Sequence, residues 1–159
     1  MDFFVKAFTN PILVVPTLAW LITQVIKSVI NAMVNKKFSF SRLFGDGGMP
    51  SGHSATVMAL SCMCGIEVGF DTPIFAVSAI LAIIVMHDAT GVRRETGKQA
   101  TAIISIATVI GEYFAERDEQ IKTEKLKVMV GHSPLQVVVG AILGVLVSLA
   151  YMWIFNKFI

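Results

Sequence analysis

Long apolar runs broken by short polar clusters organise this chain, and their lengths are those of helices that cross or line a bilayer. Residues 11–34 are apolar apart from Thr17, Thr23, Gln24, Lys27, Ser28 and Asn31, and as a helix they measure roughly 36 Å, more than the hydrocarbon thickness. A second run, 51–70, carries the small residues Ser54, Ala55, Ala59, Ser61 and Gly65, which let helices approach closely in lipid and mark it as an inner helix. After the turn containing Asp71 and Thr72, Pro73 suits a first helical turn, and 74–85 is the most hydrophobic stretch, ending at a polar break formed by His87 and Asp88. Residues 93–115 have a helical period but two stripes. One is Ala100, Ile103, Ile104, Ala107, Ile110, Gly111 and Phe114; the other is Lys98, Thr101, Ser105, Thr108 and Glu112, so this helix packs or tilts. Most positions in 116–127 are charged, which demands water and predicts a loop or surface helix. The last run, 134–158, opens on Pro134, carries Gly140 and Gly144 at the spacing of a close-packing face, and brings Tyr151 and Trp153 towards its far interface.

The expected fold is therefore all-α, a polytopic membrane bundle of about five helices forming a single domain over 1–159. Composition agrees: hydrophobic residues make up 55% and charged residues 15%, with a mean hydropathy of +0.72, beyond what a water-soluble surface tolerates. A net charge of +2 with scattered basic residues excludes nucleic acid as a partner. Cys62 and Cys64, one residue apart in an apolar run, point about 200° apart on a helix and read as small core residues. The N-terminal stretch has an early Asp2 and no small-residue cleavage site, so the first hydrophobic segment is expected to stay as an anchor. If the first three runs alternate in direction, Lys36, Lys37, Arg42, Ser51, Gly52, His53, His87, Asp88, Arg93 and Arg94 share one side of the membrane, and His132 joins them if the fourth helix tilts.

Three clusters on that side carry chemistry. Gly47, Gly48, Met49, Pro50, Ser51, Gly52 and His53 put a hydroxyl, an unhindered N–H and an imidazole beside unpaired helix N-terminal amides, an arrangement suited to phosphate. The alternative is a Gly/Pro loop with Ser51 as a plain cap. His132 stands just ahead of a proline-opened helix with Gln136 four residues on; that spacing lets Gln136 fix the imidazole tautomer, or lets it simply cap or pack. Arg93 and Arg94 at the head of a helix match phosphate oxygens, or else signal topology, with Asp88 near enough to orient them or a histidine. Lys27 lies inside the first span, where a cation either faces a polar cavity or snorkels. Arg42 is a further phosphate-contact candidate.

These motifs resemble the type 2 phosphatidic acid phosphatase superfamily, which includes the vanadium-dependent haloperoxidases, and more closely its divergent branch of small membrane proteins. The resemblance runs from about residue 24 to 144 and rests on G-G-M-P-S-G-H-S-A (47–55), D-A-T-G-V-R-R-E-T-G-K-Q-A (88–100) and G-H-S-P-L-Q-V-V-V-G-A-I-L-G (131–144), in that order. It implies that His132 attacks phosphorus to give a phosphohistidine, that His53 is the general acid, and that Ser51 and the Gly52 amide contact phosphate oxygens, with no metal or other cofactor needed. The chain also departs from the superfamily. The lysine ahead of an Arg-Pro pair is broken, because Lys36 and Arg42 stand closer together and Leu43 replaces proline. Leu126 takes the place of an arginine upstream of the histidine. Gln136 stands where the superfamily has a carboxylate, and a neutral amide orients an imidazole without stabilising its cation. Arg93 or Arg94, with Lys27 and Arg42, would then serve as substitute clamps.

The expectation is a metal-independent phosphoric monoester or diphosphate hydrolase acting on phosphatidic acid, phosphatidylglycerophosphate or an isoprenyl diphosphate. Its catalytic residues are His132, His53, Gln136 and Asp88, and its phosphate ligands are Ser51, Gly52, Arg93, Arg94, Arg42 and Lys27. The protein is expected to be a multi-pass component of the cell membrane, with the site on the cytoplasmic face and small-residue faces that permit a homodimer. The competing expectation is a weak or inactive relative that binds or transports phosphorylated lipid.

Overall fold

The computed structural model of the protein describes residues 2–35, 48–115 and 132–156. Among the described residues six helices follow in order: α1 Asp2–Thr9, α2 Pro11–Asn35, α3 Gly52–Val68, α4 Pro73–Thr90, α5 Val92–Ala115 and α6 Pro134–Asn156. The described residues contain no strand. The fold is the all-α bundle expected from the hydrophobic pattern, with the short α1 added at its start.

Local sequence sets the helix boundaries. Asn10 precedes Pro11, and its Oδ1 accepts the Ile12 N–H at 2.9 Å, so a side chain satisfies one of the N-terminal donors of α2. Ser51 caps α3 by accepting the Ser54 N–H, and Thr72 caps α4 by accepting the Phe75 N–H, with Pro73 in the first turn as expected. The chain leaves α3 through Gly69 at φ +119°, a conformation that strains any residue with a Cβ. The polar break expected at His87 and Asp88 does not end α4, which runs through both to Thr90. The interruption comes at Gly91, whose N–H is taken by the His87 carbonyl at 2.8 Å, and α5 begins immediately after it.

Among the described residues three stretches are long and apolar enough to cross a membrane: Pro11–Val34, Pro73–Ile110 and Pro134–Phe155. The large apolar side chains of these helices point outwards, among them Val25, Val29, Ile80, Ile83, Leu146 and Trp153. The interior is instead built from small and polar residues such as Ala19, Ala55, Ala59, Ser54, Ser61 and Ser148. That inversion of the water-soluble pattern is what lipid favours, because only close packing and internal hydrogen bonds draw helices together there.

The 17-residue α3 sits at the centre, packed against α2, α4 and α6, the inner position expected from its small residues. A Cβ at Gly140 would collide with the Ser51 carbonyl, and one at Gly144 with the Ala55 carbonyl. The glycine pair of α6 therefore seats α3 within the same chain. Ser148 reinforces the contact, its hydroxyl within 3.4 Å of the Ala59 carbonyl and 3.0 Å of its own helix's Gly144 carbonyl. Among the described residues α5 packs on α4 alone, and of its two expected stripes neither is buried, with Gly97 the one buried position up to Ile110.

Candidate functional site

The ends of α2, α3, α4 and α6 meet at one rim of the bundle, and backbone hydrogen bonds fix their registry. The Ser51 N–H donates to the Gln136 carbonyl at 3.0 Å, tying the start of α3 to the first turn of α6. The His132 N–H donates to the Ala89 carbonyl at 3.0 Å, tying the approach to α6 to the end of α4. Two segments far apart in sequence are thereby held in one place by main-chain contacts that tolerate most side-chain changes.

This registry brings the imidazoles of His53 and His132 to 6.3 Å between ring centroids, tilted by 57°. His132 is 3% exposed, whereas His53 is exposed at the rim. One ring is thus held in the protein while the other is exposed at the rim.

Gln136 supports His132 in two ways. Its Oε1 accepts the Ser133 N–H at 3.0 Å, and the Gln136 N–H approaches the Ser133 hydroxyl at 3.4 Å. This is a reciprocal capping box at the start of α6. The same Oε1 lies 3.3 Å from Nδ1 of His132. Because the Ser133 N–H identifies that atom as an acceptor, Nδ1 carries the proton and Nε2 carries the lone pair. The two alternatives for Gln136, capping and orienting, are both realised by one oxygen. Burial lowers the pKa of His132 below the ordinary 6.5; the Gln136 hydrogen bond, next in weight, opposes it, and the positive charges of Lys27, His53 and Arg93 lower it further. Its neutral form is the one favoured near pH 7.

Lys27 belongs to this rim. Its side chain is buried within α2, and its Nζ lies 3.7 Å from where a Cβ on Gly52 would stand, with Thr23 Oγ1 at 3.2 Å and Trp20 Cδ1 at 3.4 Å. Lys27 is therefore buried within the bundle and does not lie on its lipid-facing surface. A Cβ at Gly52 would crowd Thr23 Oγ1 and sit at ordinary contact distance from Trp20 and Lys27. Gly48 adopts φ +95°, the left-handed turn expected of the glycine pair, and the Met49–Pro50 bond that follows is cis.

Ser51 is fully buried, and its Oγ accepts from both the Ser54 amide at 3.3 Å and the Ser54 hydroxyl at 2.9 Å. Ser51 thus caps α3, and Ser54, which the sequence marks only as a small residue, orients it. The Ser51 hydroxyl proton is left to donate elsewhere. Asp88 is engaged by Arg93, with Nε to Oδ2 at 2.6 Å and both side chains partly exposed. Arg94 is exposed on the first turn of α5. Gly47, Lys36, Lys37, Arg42 and the charged stretch 116–127 lie outside the described residues.

Comparison with known proteins gives two findings. The profile of the Divergent PAP2 family matches residues 8–147. The chain is also 40% identical over 156 residues to an uncharacterized membrane protein, YuiD, of Bacillus subtilis (strain 168), an alignment covering 94% of this chain and 99% of that one. No solved structure matches the chain.

Proposed function

The chain belongs to the Divergent PAP2 family, and from that premise we propose that it is a multi-pass membrane phosphatase that hydrolyses a lipid phosphate monoester or diphosphate without a metal. The observation that carries this reading is the apposition of His53 and His132, one buried and tautomerically fixed, the other exposed, beside the buried Lys27 ammonium. The substrates considered are phosphatidic acid, phosphatidylglycerophosphate and an isoprenyl diphosphate, and the site is proposed to face the cytoplasm.

The reaction runs in two steps. The Nε2 lone pair of His132 forms a bond to phosphorus as the bond to the leaving oxygen breaks, and protonated His53 gives that oxygen its proton. Water then attacks the phosphohistidine, its proton passing to the now neutral His53, and the P–N bond breaks to return Nε2 its electron pair. The Ser51 hydroxyl, the Gly52 amide, Lys27 and Arg93 offset charge on the phosphoryl oxygens, with Arg94 and Arg42 as further candidates. Asp88 acts through Arg93.

A second reading, a protein that binds or transports phosphorylated lipid without hydrolysing it, is favoured by the neutral Gln136 where the superfamily carries a carboxylate. One experiment separates the two. Purified protein in detergent with a metal chelator is assayed for phosphate release from a panel of lipid phosphates beside His132→Ala and His53→Ala. The phosphatase reading expects release by the unmodified protein and its loss in both variants. Equal background release from all three, with lipid-phosphate binding retained, establishes the second reading instead.

A further inference from the structure

We infer that an apolar groove between α3 and α4, of about 330 Å³, holds the hydrocarbon chain of the lipid whose phosphate sits between His53 and His132. The inference rests on the proposed headgroup site and adds to it a binding site for the tail. The groove is walled by Leu60 and Cys64 of α3 and by Ile74, Val77, Ser78 and Leu81 of α4.

Helical register connects this groove to the rim. Leu60 and Cys64 follow His53 by two and three turns and lie within about 20° of it around the axis of α3. Leu81 and Val77 precede Asp88 by the same intervals and lie within about 20° of it around α4. The two helix faces that present His53 and Asp88 at the rim are thus the two faces that line the groove below. Leu60 and Leu81 stand about 10 Å beneath those residues, and Cys64 and Val77 about 16 Å, at the rise of an α-helix. A molecule with an anionic head at the rim and a single extended chain fits that line, whereas a soluble phosphate uses only its upper end.

The chemistry of the walls agrees. The hydroxyl of Ser78, the polar member of the set, donates to its own helix at the Phe75 carbonyl, 2.8 Å away, so the groove asks for no hydrogen-bonding occupant. The outer wall is open, with Val77 69% and Ile74 54% exposed, on a stretch apolar enough to lie in a membrane. A chain therefore enters sideways from the bilayer without crossing water.

The test uses full-length protein in phosphatidylcholine nanodiscs and a phosphatidic acid bearing a photoactivatable diazirine near the middle of one chain. Labelling is expected to concentrate on Leu60, Val77 and Leu81, to be displaced by unlabelled phosphatidic acid and not by added phosphatidylcholine. It should fall about tenfold in Val77→Trp, the equivalent of roughly two methylenes withdrawn from contact. Ile83→Trp, on the opposite side of α4, controls for bulk and should leave it unchanged. Labelling spread evenly over outward residues such as Leu21, Ile83 and Leu146, or displaced equally by the neutral lipid, overturns the inference. Hydrolysis plays no part in this readout. A protein labelled in the groove but silent in the phosphate-release assay would sink the phosphatase reading alone, and a hydrolysing protein without groove labelling would sink the tail site alone.

Discussion

Oε1 of Gln136 lies 3.3 Å from Nδ1 of His132 while accepting the Ser133 N–H at 3.0 Å, so the atom that starts α6 also sets which nitrogen of the histidine is free. A glutamate at this position keeps the capping box, since either side chain completes it. It also places a negative charge against a ring that becomes cationic on phosphorylation. Gln136→Glu is therefore expected to raise kcat for lipid-phosphate hydrolysis, by roughly tenfold if the carboxylate is worth one pKa unit to the imidazolium. Steady-state rates of the two proteins check this, and an unchanged or lower rate removes Gln136 from the proposed role.

Lys27 makes a second prediction through charge. His132 is held below its ordinary value of 6.5 by burial and then by the charges of Lys27, His53 and Arg93, so the nucleophile is neutral above its folded-state pKa and lost as pH falls through it. The same sign governs stability. A group with a lowered folded pKa contributes stability that is present above 6.5 and lost as pH falls through the folded value. Lys27→Met removes one of the depressing charges, so the acid limb of kcat/KM should move up towards 6.5. A pH–rate profile reads this separately from any loss of phosphate affinity, and an unmoved limb would show that Lys27 does not act on His132.

Most of this arrangement was legible in the chain because it depends on local rules. The first and last spans follow from run length, whereas the middle one, Pro73–Ile110, runs on past the polar residues expected to end it. The inner position of α3 follows from its small residues, and the reach from Gln136 to His132 from helical spacing. Less legible were features decided by contacts between segments. Asp88 and His87 look like a helix end because they are polar, yet the helix runs through both to Thr90 and breaks at Gly91, whose backbone leaves the helical region at φ −96° and ψ −92°. The hydrogen bond from Ser51 to the Gln136 carbonyl, which aligns α3 with α6, is a main-chain contact that no side-chain pattern encodes. Ser54 was readable only as one small residue among several, although the i, i+3 spacing from a capping serine is the signal that marks it.

The ion pair of Arg93 and Asp88 carries a third prediction. Both side chains are partly solvent-exposed, 49% and 38%, so the pair contributes about 0–1 kcal/mol to stability. If Asp88 acts by holding Arg93 in place, Asp88→Asn should leave thermal stability nearly unchanged but raise KM, and Arg93→Ala should raise it further. The double variant should then be no worse than Arg93→Ala, because the partner of the lost interaction is already gone. Additive losses in the double variant would mean that Asp88 contacts the reaction independently.

Glycine packing carries the last prediction, which separates the framework from the site. A Cβ at Gly140 meets the backbone O and N of Ser51, the residue whose N–H is bonded to Gln136. One at Gly144 meets the backbone of Ala55 and Ala59. Backbone cannot rotate aside, so each Gly→Ala change must push α6 from α3, at about 1–3 kcal/mol for overpacking. Gly65 is a contrast, because its added Cβ meets the ring of Phe70, a side chain near the α3–α4 turn that can swing away. Thermal unfolding in detergent should therefore rank Gly65→Ala as the mildest of the three. Gly140→Ala alone should also weaken binding of a phosphate analogue such as vanadate, because it moves Ser51 and Gln136 apart at the rim. Equal losses of vanadate affinity in Gly140→Ala and Gly144→Ala would show that the registry of α3 on α6 does not govern the site.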